Sequence, residues 1–222
     1  MNKKGFIFDL DGVIVDTAKY HYLAWKKLAN SIGVDFNHEQ NEQLKGVSRV
    51  KSLEKILAWG SKSISEDEFM ELMALKNDDY LSYINKMDEN EILPDVPKIL
   101  NYLIEKKQNI ALGSASKNAR QILEKVNLIS SFQAIVDGND VSKAKPNPEV
   151  FLIAAQLLDQ KPENCIVFED SVAGIKAANL AGMTSVGIGD KNILHEADFV
   201  FNNFTEITLS FLQELIENNI EI

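Results

Sequence analysis

The sequence predicts an α/β protein, with a doubly wound (Rossmann-like) parallel-sheet core and an inserted α-helical cap domain. Short apolar segments of strand length, bounded by Gly, Asp, Ser or Asn, alternate with segments of helical period. Strands that are apolar on both faces are typical of a parallel sheet covered by helices on both sides. The alternation stops between residues 18 and 89, where the patterns are helical. We therefore expect residues 1–16 plus 90–222 to form the core domain and residues 17–89 to form the cap.

The elements of the core can be placed in order along the chain. The predicted strands are residues 5–8, 110–113, 134–136, 165–168, 185–188 and 198–201, and the predicted helices between them are 96–106, 119–126, 148–158 and 172–181. In the cap, the first predicted helix carries an apolar stripe that includes Trp25 and Leu28, and it ends at Gly33. A later helix begins with the capping-box pattern Ser65-x-x-Glu68.

Composition restricts the classes of function. The chain has 222 residues, enough for one core with an inserted module, and a formal net charge of −10. Nucleic-acid binding needs a basic surface, so we expect no nucleic-acid partner. No apolar segment approaches the ~20 residues of a membrane span, and no signal-peptide pattern is present. We expect a cytoplasmic protein with no membrane partner.

The end of the first predicted strand carries two carboxylates. Asp9 and Asp11 are two residues apart, so in an extended chain they point to the same side, and Gly12 allows a sharp turn. Open α/β sheets bind ligands at the carboxyl ends of their strands. Paired carboxylates repel unless a cation lies between them, and Mg²⁺ prefers oxygen ligands. A calcium loop is excluded because Val13 and Ile14 occupy its fifth and sixth positions, although a simple Asp-rich turn remains open.

Polar residues also follow three later strands, and each has two interpretations. Ser114 offers a hydroxyl and free helix-start amides to a phosphate, or is an ordinary helix N-cap. Lys145, in a loop stiffened by prolines, neutralises a transferred phosphoryl group or is a solvated surface lysine. Glu169 and Asp170 complete a metal site beside Asp9, or they cap the following helix. Taken one at a time these positions are equivocal, but their joint order is informative.

The order Asp-x-Asp, Ser, Lys-Pro, Glu-Asp is that of the haloacid dehalogenase superfamily, which this sequence resembles over its whole length. Within the superfamily it is similar to the sugar-phosphate mutases. The narrower resemblance is carried by Trp25 and by residues 9–14, 20–21, 43–49, 76–78, 114–118, 145–146 and 169–171. The superfamily motifs are shared with many phosphatases, whereas residues 44–49 and 116–118 are more specific to mutases.

The resemblance implies a nucleophile and a metal site. Asp9 would attack a phosphoryl group and become an aspartyl-phosphate. The Asp9 carboxylate, the main-chain carbonyl of Asp11 and Asp170 would hold Mg²⁺, with Glu169 in or near its coordination shell. Asp11 would then act as general acid and base on the sugar hydroxyl.

The resemblance also implies how the substrate is held. Ser114 and Lys145 would bind the transferred phosphoryl group, and Arg49 would bind the second phosphate of a bisphosphate intermediate. The remaining contacts would come from Trp25, Lys45, Gly46, Val47, Ser48, Lys76, Ala115, Ser116, Lys117 and Asn118. His21 would couple cap closure to protonation of Asp11, against the alternative of a packed histidine. Lys76 is equally compatible with a site residue and with a lysine whose stem covers apolar surface.

The implied reaction interconverts β-D-glucose 1-phosphate and D-glucose 6-phosphate through β-glucose 1,6-bisphosphate, which also serves as primer. The expected partner is a small phosphosugar, and the resemblance favours a monomer. One alternative is a sugar-phosphate phosphatase on the same scaffold, in which water discharges the aspartyl-phosphate. The other is a catalytically silent phosphosugar-binding protein.

Overall fold

The computed structural model describes residues 3–217, so the first two and last five residues of the predicted core domain lie outside the described residues. Six strands form one sheet: β1 (Gly5–Phe8), β2 (Asn109–Gly113), β3 (Ala134–Val136), β4 (Cys165–Glu169), β5 (Thr184–Ile188) and β6 (Phe199–Phe201). Their order is β3-β2-β1-β4-β5-β6, and all neighbours pair in parallel. The predicted α/β core is confirmed, and each predicted strand agrees with its observed bounds to within one residue.

The side chains of strand β1 are buried on both faces of the sheet, which explains why its sequence is apolar throughout. Phe6 and Phe8 belong to one hydrophobic cluster, and Ile7 belongs to a second one. Successive side chains of a strand point to opposite faces, so the two clusters lie on opposite sides of the sheet. The Phe8 ring stacks on Phe168 of β4 with centroids 4.7 Å apart. Both faces of the sheet are therefore buried, as a doubly wound fold requires.

Of the helices between β1 and β2 in sequence, the first four form the inserted block: α1 (Ala18–Ser31), α2 (His38–Glu42), α3 (Arg49–Trp59) and α4 (Glu66–Ile84). They pack around a cluster of their own, which includes Trp25, Leu28, Phe36, Leu53 and Ile56. The end of α4 packs elsewhere, since Tyr80 and Ile84 belong to the cluster of Phe8. A separate hydrophobic cluster supports an inserted helical cap, and the domain bounds 17–89 remain our proposal.

Five further helices cover the sheet: α5 (Val96–Glu105), α6 (Ala119–Lys125), α7 (Glu149–Leu157), α8 (Val172–Leu180) and α9 (Leu209–Glu217). Side chains of α5, α6 and α9 join the cluster of Phe8, and those of α7 and α8 join the cluster of Ile7. Between residues 3 and 217, no helix combines the length and apolar content that crossing a membrane requires.

Side-chain caps begin three of the cap helices, and at α3 the cap is Ser48 Oγ, which accepts from the amide of Lys51 at 3.4 Å. Ser65 Oγ accepts a hydrogen bond from the amide of Glu68 at 3.2 Å, which is the hydroxyl half of the predicted capping box. A complete box occurs at α2, where Asn37 and Gln40 each bond the other's backbone amide at 2.9 Å. The sequence analysis missed this box because Asn and Gln take the places of the more familiar Ser and Glu.

The register of the sheet brings three chain segments to one edge. Phe8 of β1 pairs with Leu112 of β2 on one side and with Phe168 of β4 on the other. The residues that come next, Asp9, Gly113 and Glu169, therefore emerge at the same level. The strand order also reverses direction beside β1, which is where doubly wound sheets leave a crevice for ligands.

Candidate active site

A cavity of about 340 Å³ lies at this edge and is lined by both the sheet and the cap helices. The predicted site residues that line it are Asp9, Asp11, His21, Trp25, Lys45, Gly46, Val47, Ser48, Arg49, Lys76, Ser114, Ala115, Ser116, Lys117, Asn118, Lys145 and Asp170. Glu169 is fully buried and does not line the cavity itself, but it accepts a hydrogen bond from Lys145, which does. The fold thus gathers residues that are far apart in sequence around one space.

Lys145 is the central cation of the core side. Its ammonium donates hydrogen bonds to Asp9 Oδ1 at 2.5 Å, to Glu169 Oε1 at 2.8 Å and to the carbonyl of Gly113 at 3.1 Å. Only 4% of the residue is exposed, which excludes the solvated surface lysine. Burial lowers the pKa of Lys145, but the charges of Asp9 and Glu169 outweigh it and hold the pKa above its usual range. The side chain is therefore a fixed positive charge beside Asp9.

Three carboxylates lie next to this lysine. Ligand oxygens of Asp9, Glu169 and Asp170 all lie within 4.8 Å of one another. Burial raises the pKa of Asp9 to about 7, with a further rise from the charge of Glu169 and partial relief from Lys145. Burial and the charge of Glu169 also hold the pKa of Asp170 well above its usual range. A buried, crowded set of carboxylate oxygens gains most from a hard divalent cation, so these residues fit Mg²⁺.

The Asp11 carboxylate does not join this cluster, so the expectation that Asp9 and Asp11 converge on one cation is wrong for their side chains. Asp11 Oδ1 accepts hydrogen bonds from the Thr17 hydroxyl and from the Tyr80 hydroxyl, the latter at 3.4 Å. The reason is that β1 ends at Phe8, so the alternation of an extended chain does not continue to Asp11. The main-chain carbonyl of Asp11 remains its proposed contribution to a metal site.

Asp11 is linked to the cap through a chain of polar contacts. His21 Nε2 lies 3.6 Å from Asp11 Oδ1, and the Lys76 ammonium lies 3.0 Å from His21 Nδ1. Burial would raise the pKa of Asp11, but the hydrogen bond and charge of His21 outweigh it and lower the pKa. Burial and the charge of Lys76 lower the pKa of His21. The cap residues His21 and Lys76 therefore both influence the pKa of Asp11.

Lys76 is a buried cation and does not extend to solvent. It is 2% exposed, and its ammonium lies 4.8 Å from the ring centroid of Trp25 and 4.5 Å from that of Tyr80. Burial, followed by the charge of Arg49, lowers the pKa of Lys76 to about 7. The interpretation of Lys76 as a lysine reaching out to water is therefore wrong.

The loop before α3 brings the cap against the core. Lys45 Nζ lies 3.0 Å from Glu42 and 3.5 Å from Asp170 across the cavity. Gly46 has φ +68°, and a Cβ there would overlap the Ser171 hydroxyl, so only glycine allows this close approach. Arg49 begins α3 and is partly buried, which lowers its pKa. No carboxylate within residues 3–217 forms an ion pair with Arg49.

The amides of the predicted helix start at Ser114 are only partly occupied, because those of Ala115 and Lys117 have no hydrogen-bond acceptor within residues 3–217. The Ser114 amide donates to the carbonyl of Val136 at 3.0 Å, and the Ser116 amide donates to Ser114 Oγ at 3.1 Å. Helix α6 begins only after Asn118, whose side-chain amide donates to Asn77 Oδ1 of the cap at 3.3 Å. The Ser114 hydroxyl and the amides of Ala115 and Lys117 are therefore the groups left for phosphoryl oxygens.

Comparison with known proteins agrees with this geometry. The profile of the haloacid dehalogenase-like hydrolases matches residues 3–182. The chain belongs to this family.

Characterised relatives narrow the comparison within the haloacid dehalogenase-like hydrolases. The chain is 44% identical to the β-phosphoglucomutase of Bacillus subtilis (strain 168) over 95% of its own length and 94% of the relative. It is 30% identical to a fructose-1-phosphate phosphatase of Escherichia coli (strain K12), over 83% of its length and 95% of the relative. The crystal structure of a β-phosphoglucomutase from Clostridium difficile matches with a TM-score of 0.93 and 41% identity, covering 98% of this chain and 99% of that one.

Among the site residues that the sequence does not single out are four polar ones, Thr17, Tyr80, Asn41 and Ser52. Thr17 and Tyr80 contact Asp11, whereas Asn41 and Ser52 line the cavity from the cap. Tyr80 was placed only on an apolar stripe, and Thr17 looks like a helix start, so neither carries a local signal for a site. Three-dimensional contacts alone reveal them.

Haloacid dehalogenase-like enzymes use Mg²⁺, and we expect the ion to stabilise this protein by neutralising the acid cluster. Millimolar Mg²⁺ should raise the melting temperature of the wild type by several degrees in thermal denaturation. Asp170→Asn removes one oxygen charge and should lose most of that increase, whereas Asp35→Asn, at an exposed position, should keep it. An unchanged Mg²⁺ effect in Asp170→Asn would remove Asp170 from the metal site.

Proposed function

We propose that the chain is a phosphomutase that interconverts β-D-glucose 1-phosphate and D-glucose 6-phosphate through β-glucose 1,6-bisphosphate. The observation that carries the proposal is one cavity that holds both a nucleophile from the core and an arginine from the cap. Asp9 and Lys145 stand on the core side, and Arg49 stands on the cap side without an acidic partner within residues 3–217. The similarity to β-phosphoglucomutases of two bacteria supports the same function.

The first half-reaction transfers a phosphoryl group to the protein. A carboxylate oxygen of Asp9 attacks phosphorus, the bond from phosphorus to the sugar oxygen breaks, and that oxygen takes a proton from Asp11. Lys145 and the Ser114 hydroxyl bind the equatorial oxygens of the transferred group. Mg²⁺ bound at the acid cluster would offset the repulsion between an anionic nucleophile and an anionic phosphate. The product of this step is an aspartyl-phosphate.

The second half-reaction returns the phosphoryl group to the other end of the sugar. A sugar hydroxyl gives its proton to Asp11 and attacks phosphorus, and the Asp9 carboxylate leaves. The lowered pKa of Asp11 supports the role of base in this step, because it keeps the carboxylate ionised. His21 and Lys76 hold Asp11 in place from the cap, so general acid–base catalysis is tied to cap closure.

A mutase must hold a second phosphate, and a phosphatase has no such need. We assign this phosphate to Arg49, whose guanidinium can bind two phosphate oxygens at once. Ser48 and the loop around Gly46 add donors from the cap, and Lys117 adds a cation from the core. The contact between Lys45 and Asp170 holds the cap over the cavity and helps to exclude water, which would otherwise discharge the aspartyl-phosphate.

The alternatives are less well supported by these contacts. In a phosphatase on this scaffold, Arg49 would have no second phosphate to bind. A silent phosphosugar-binding protein would have no use for the Asp9–Lys145 pair, whose burial is costly. We propose glucose 1,6-bisphosphate as the primer, because it supplies the phosphoryl group that charges Asp9. The monomeric state, the cytoplasmic location and the lack of nucleic-acid and membrane partners stay predictions.

The proposal is tested by a coupled assay that follows glucose 6-phosphate formed from β-glucose 1-phosphate in the presence of Mg²⁺. We expect catalytic amounts of β-glucose 1,6-bisphosphate to stimulate the reaction, and we expect the α-anomer to be a poor substrate. Equal rates on the two anomers would contradict the assigned specificity.

Arg49→Ala should separate the mutase from the phosphatase in the same assay. Loss of hydrogen bonds to a charged group should lower kcat/KM for isomerisation roughly 10- to 100-fold. Release of inorganic phosphate should rise relative to isomer formation, because the bisphosphate is held less firmly. Lys51→Ala, on the same helix but exposed and paired with Glu54, is the matched control and should behave as wild type. An Arg49→Ala variant with full isomerase activity would contradict the clamp.

A further inference from the structure

Two polar residues of the cap are nearly enclosed yet make no side-chain hydrogen bond. Asn41 of α2 is 7% exposed and Ser52 of α3 is 2% exposed. Within residues 3–217, neither the Asn41 amide nor the Ser52 hydroxyl has a hydrogen-bond partner in the protein. Both residues line the cavity. Most buried polar groups in folded proteins are paired, so this pair of exceptions needs an explanation.

The accessible atoms of these residues can be identified. In the part of the chain that the structure describes, every fully enclosed side-chain nitrogen or oxygen has a hydrogen-bond partner. The Asn41 amide and the Ser52 hydroxyl have none, so these polar atoms must be where the small remaining exposure lies. Because both residues line the cavity, their unpaired groups are presented to a molecule that occupies it.

The position of Asn41 indicates which chemical group of the bound molecule it contacts. Asn41 is four residues before Lys45, which lies in the turn after α2, and Ser52 follows Arg49 by one turn on α3. The Lys55 ammonium, which donates to the carbonyl of Gln43 at 2.9 Å, holds α3 against the end of α2. Lys45 and Arg49 therefore already supply cations for a phosphate. The cavity wall near Asn41 also includes the apolar side chain of Leu44. An uncharged amide in an apolar wall is suited to orienting a neutral polar group.

We propose that Asn41 is a specificity-determining residue that hydrogen-bonds a hydroxyl of the sugar ring. An amide side chain carries both donors and an acceptor, and a hydroxyl group is likewise both donor and acceptor. Ionised phosphate oxygens only accept hydrogen bonds, and the side chains of Arg49 and Lys45 supply the donors that they need. The Ser52 hydroxyl offers a second hydrogen bond in the same part of the cavity. This inference rests on the proposed function, because the sugar is the ligand that it names.

A site built to hydrogen-bond a hydroxyl rejects a ligand that lacks it, because the buried polar group of the protein is then left unpaired. The wild type should therefore discriminate against one monodeoxy analogue of β-glucose 1-phosphate by at least roughly 10²-fold in kcat/KM. The 2-, 3- and 4-deoxy analogues, assayed in turn, identify the hydroxyl.

Asn41→Leu keeps the size of the side chain and removes its hydrogen bonds. We expect kcat/KM for β-glucose 1-phosphate to fall roughly 30-fold while that for the critical deoxy analogue stays the same or rises. The ratio between the two substrates should therefore collapse toward one. Asn41→Ala should lose the same discrimination and serves as a second variant. Asn30→Leu, at an exposed position of α1, should keep the wild-type ratio. Thermal denaturation of each variant verifies that it is folded.

Unchanged discrimination in folded Asn41→Leu and Asn41→Ala would overturn the inference, whatever their melting temperatures. Discrimination that weakens equally for all three deoxy analogues would also overturn it, because it would indicate a general loosening of the cap. Failure of the proposed function is seen separately, since a wild type that forms no glucose 6-phosphate would lack the activity itself.

Discussion

Asp9→Asn should abolish turnover, with kcat lowered by at least roughly 10⁴-fold, as expected for removal of a covalent nucleophile. The amide cannot displace the sugar oxygen to form a stable acyl phosphate. Glu169 also contacts Lys145, but it is fully buried at the end of β4 and does not line the cavity. The measurement is isomer formation together with incorporation of labelled phosphate from the bisphosphate into the protein. Both should vanish.

The fold of this variant should survive. The substituted side-chain amide would retain an oxygen that accepts from the Lys145 ammonium, and the loss of one negative charge relieves repulsion with Glu169 and Asp11. Asp35→Asn, at an exposed position of the cap, makes the same chemical change away from the cavity and should keep wild-type kinetics. Labelled phosphate that still enters the Asp9→Asn protein would place the nucleophile elsewhere.

Lys145→Met should damage both stability and activity. Removing one partner of a buried ion pair leaves uncompensated charges, and the free energy of unfolding should fall by roughly 3–5 kcal/mol. The variant also loses the cation that faces the transferred phosphoryl group, so kcat should fall at least roughly 10²-fold. Urea denaturation and steady-state kinetics measure the two effects.

The stability effect of Lys145→Met should also depend on Mg²⁺. The ion neutralises the same carboxylates as Lys145, so the loss of stability in Lys145→Met should be larger in a chelator than in saturating Mg²⁺. Lys161→Met is the control, because its side chain is 77% exposed and its distance to Glu163 is 3.8 Å. A Lys145→Met protein as stable as wild type in chelator would contradict the buried ion pair.

Much of the fold could be predicted because its determinants are local. Residues 5–8 are apolar on both faces, which is characteristic of a central parallel strand, and the observed β1 has the same bounds. The meeting of Asp9 with Lys145 and Glu169 also followed from sequence order, since all three come at or after the carboxyl ends of strands in one parallel sheet. Register between β1 and β4 then brings Asp9 and Glu169 to one level, and the hydrogen bond from Lys145 to the carbonyl of Gly113 places the lysine beside them.

The directions of individual side chains were less predictable. Asp11 turns toward Thr17 and Tyr80 because the strand ends before it, and the sequence predicts that end but not the direction of the side chains after it. Free amides were expected in the segment that starts at Ser114, but the Ser114 amide itself bonds to β3, which a local pattern does not reveal. Asn41 was missed for the same reason, since its significance lies in having no partner inside a cavity that only the folded chain encloses.

The central claim is that Asp9 carries a phosphoryl group which it passes back to a sugar and not to water. The direct measurement charges the protein with labelled phosphate from β-glucose 1,6-bisphosphate, adds β-glucose 1-phosphate, and follows the label in a single turnover. We predict that the label appears in sugar bisphosphate faster than in inorganic phosphate. Label released mainly as inorganic phosphate, at a rate that the added sugar does not change, would contradict the account.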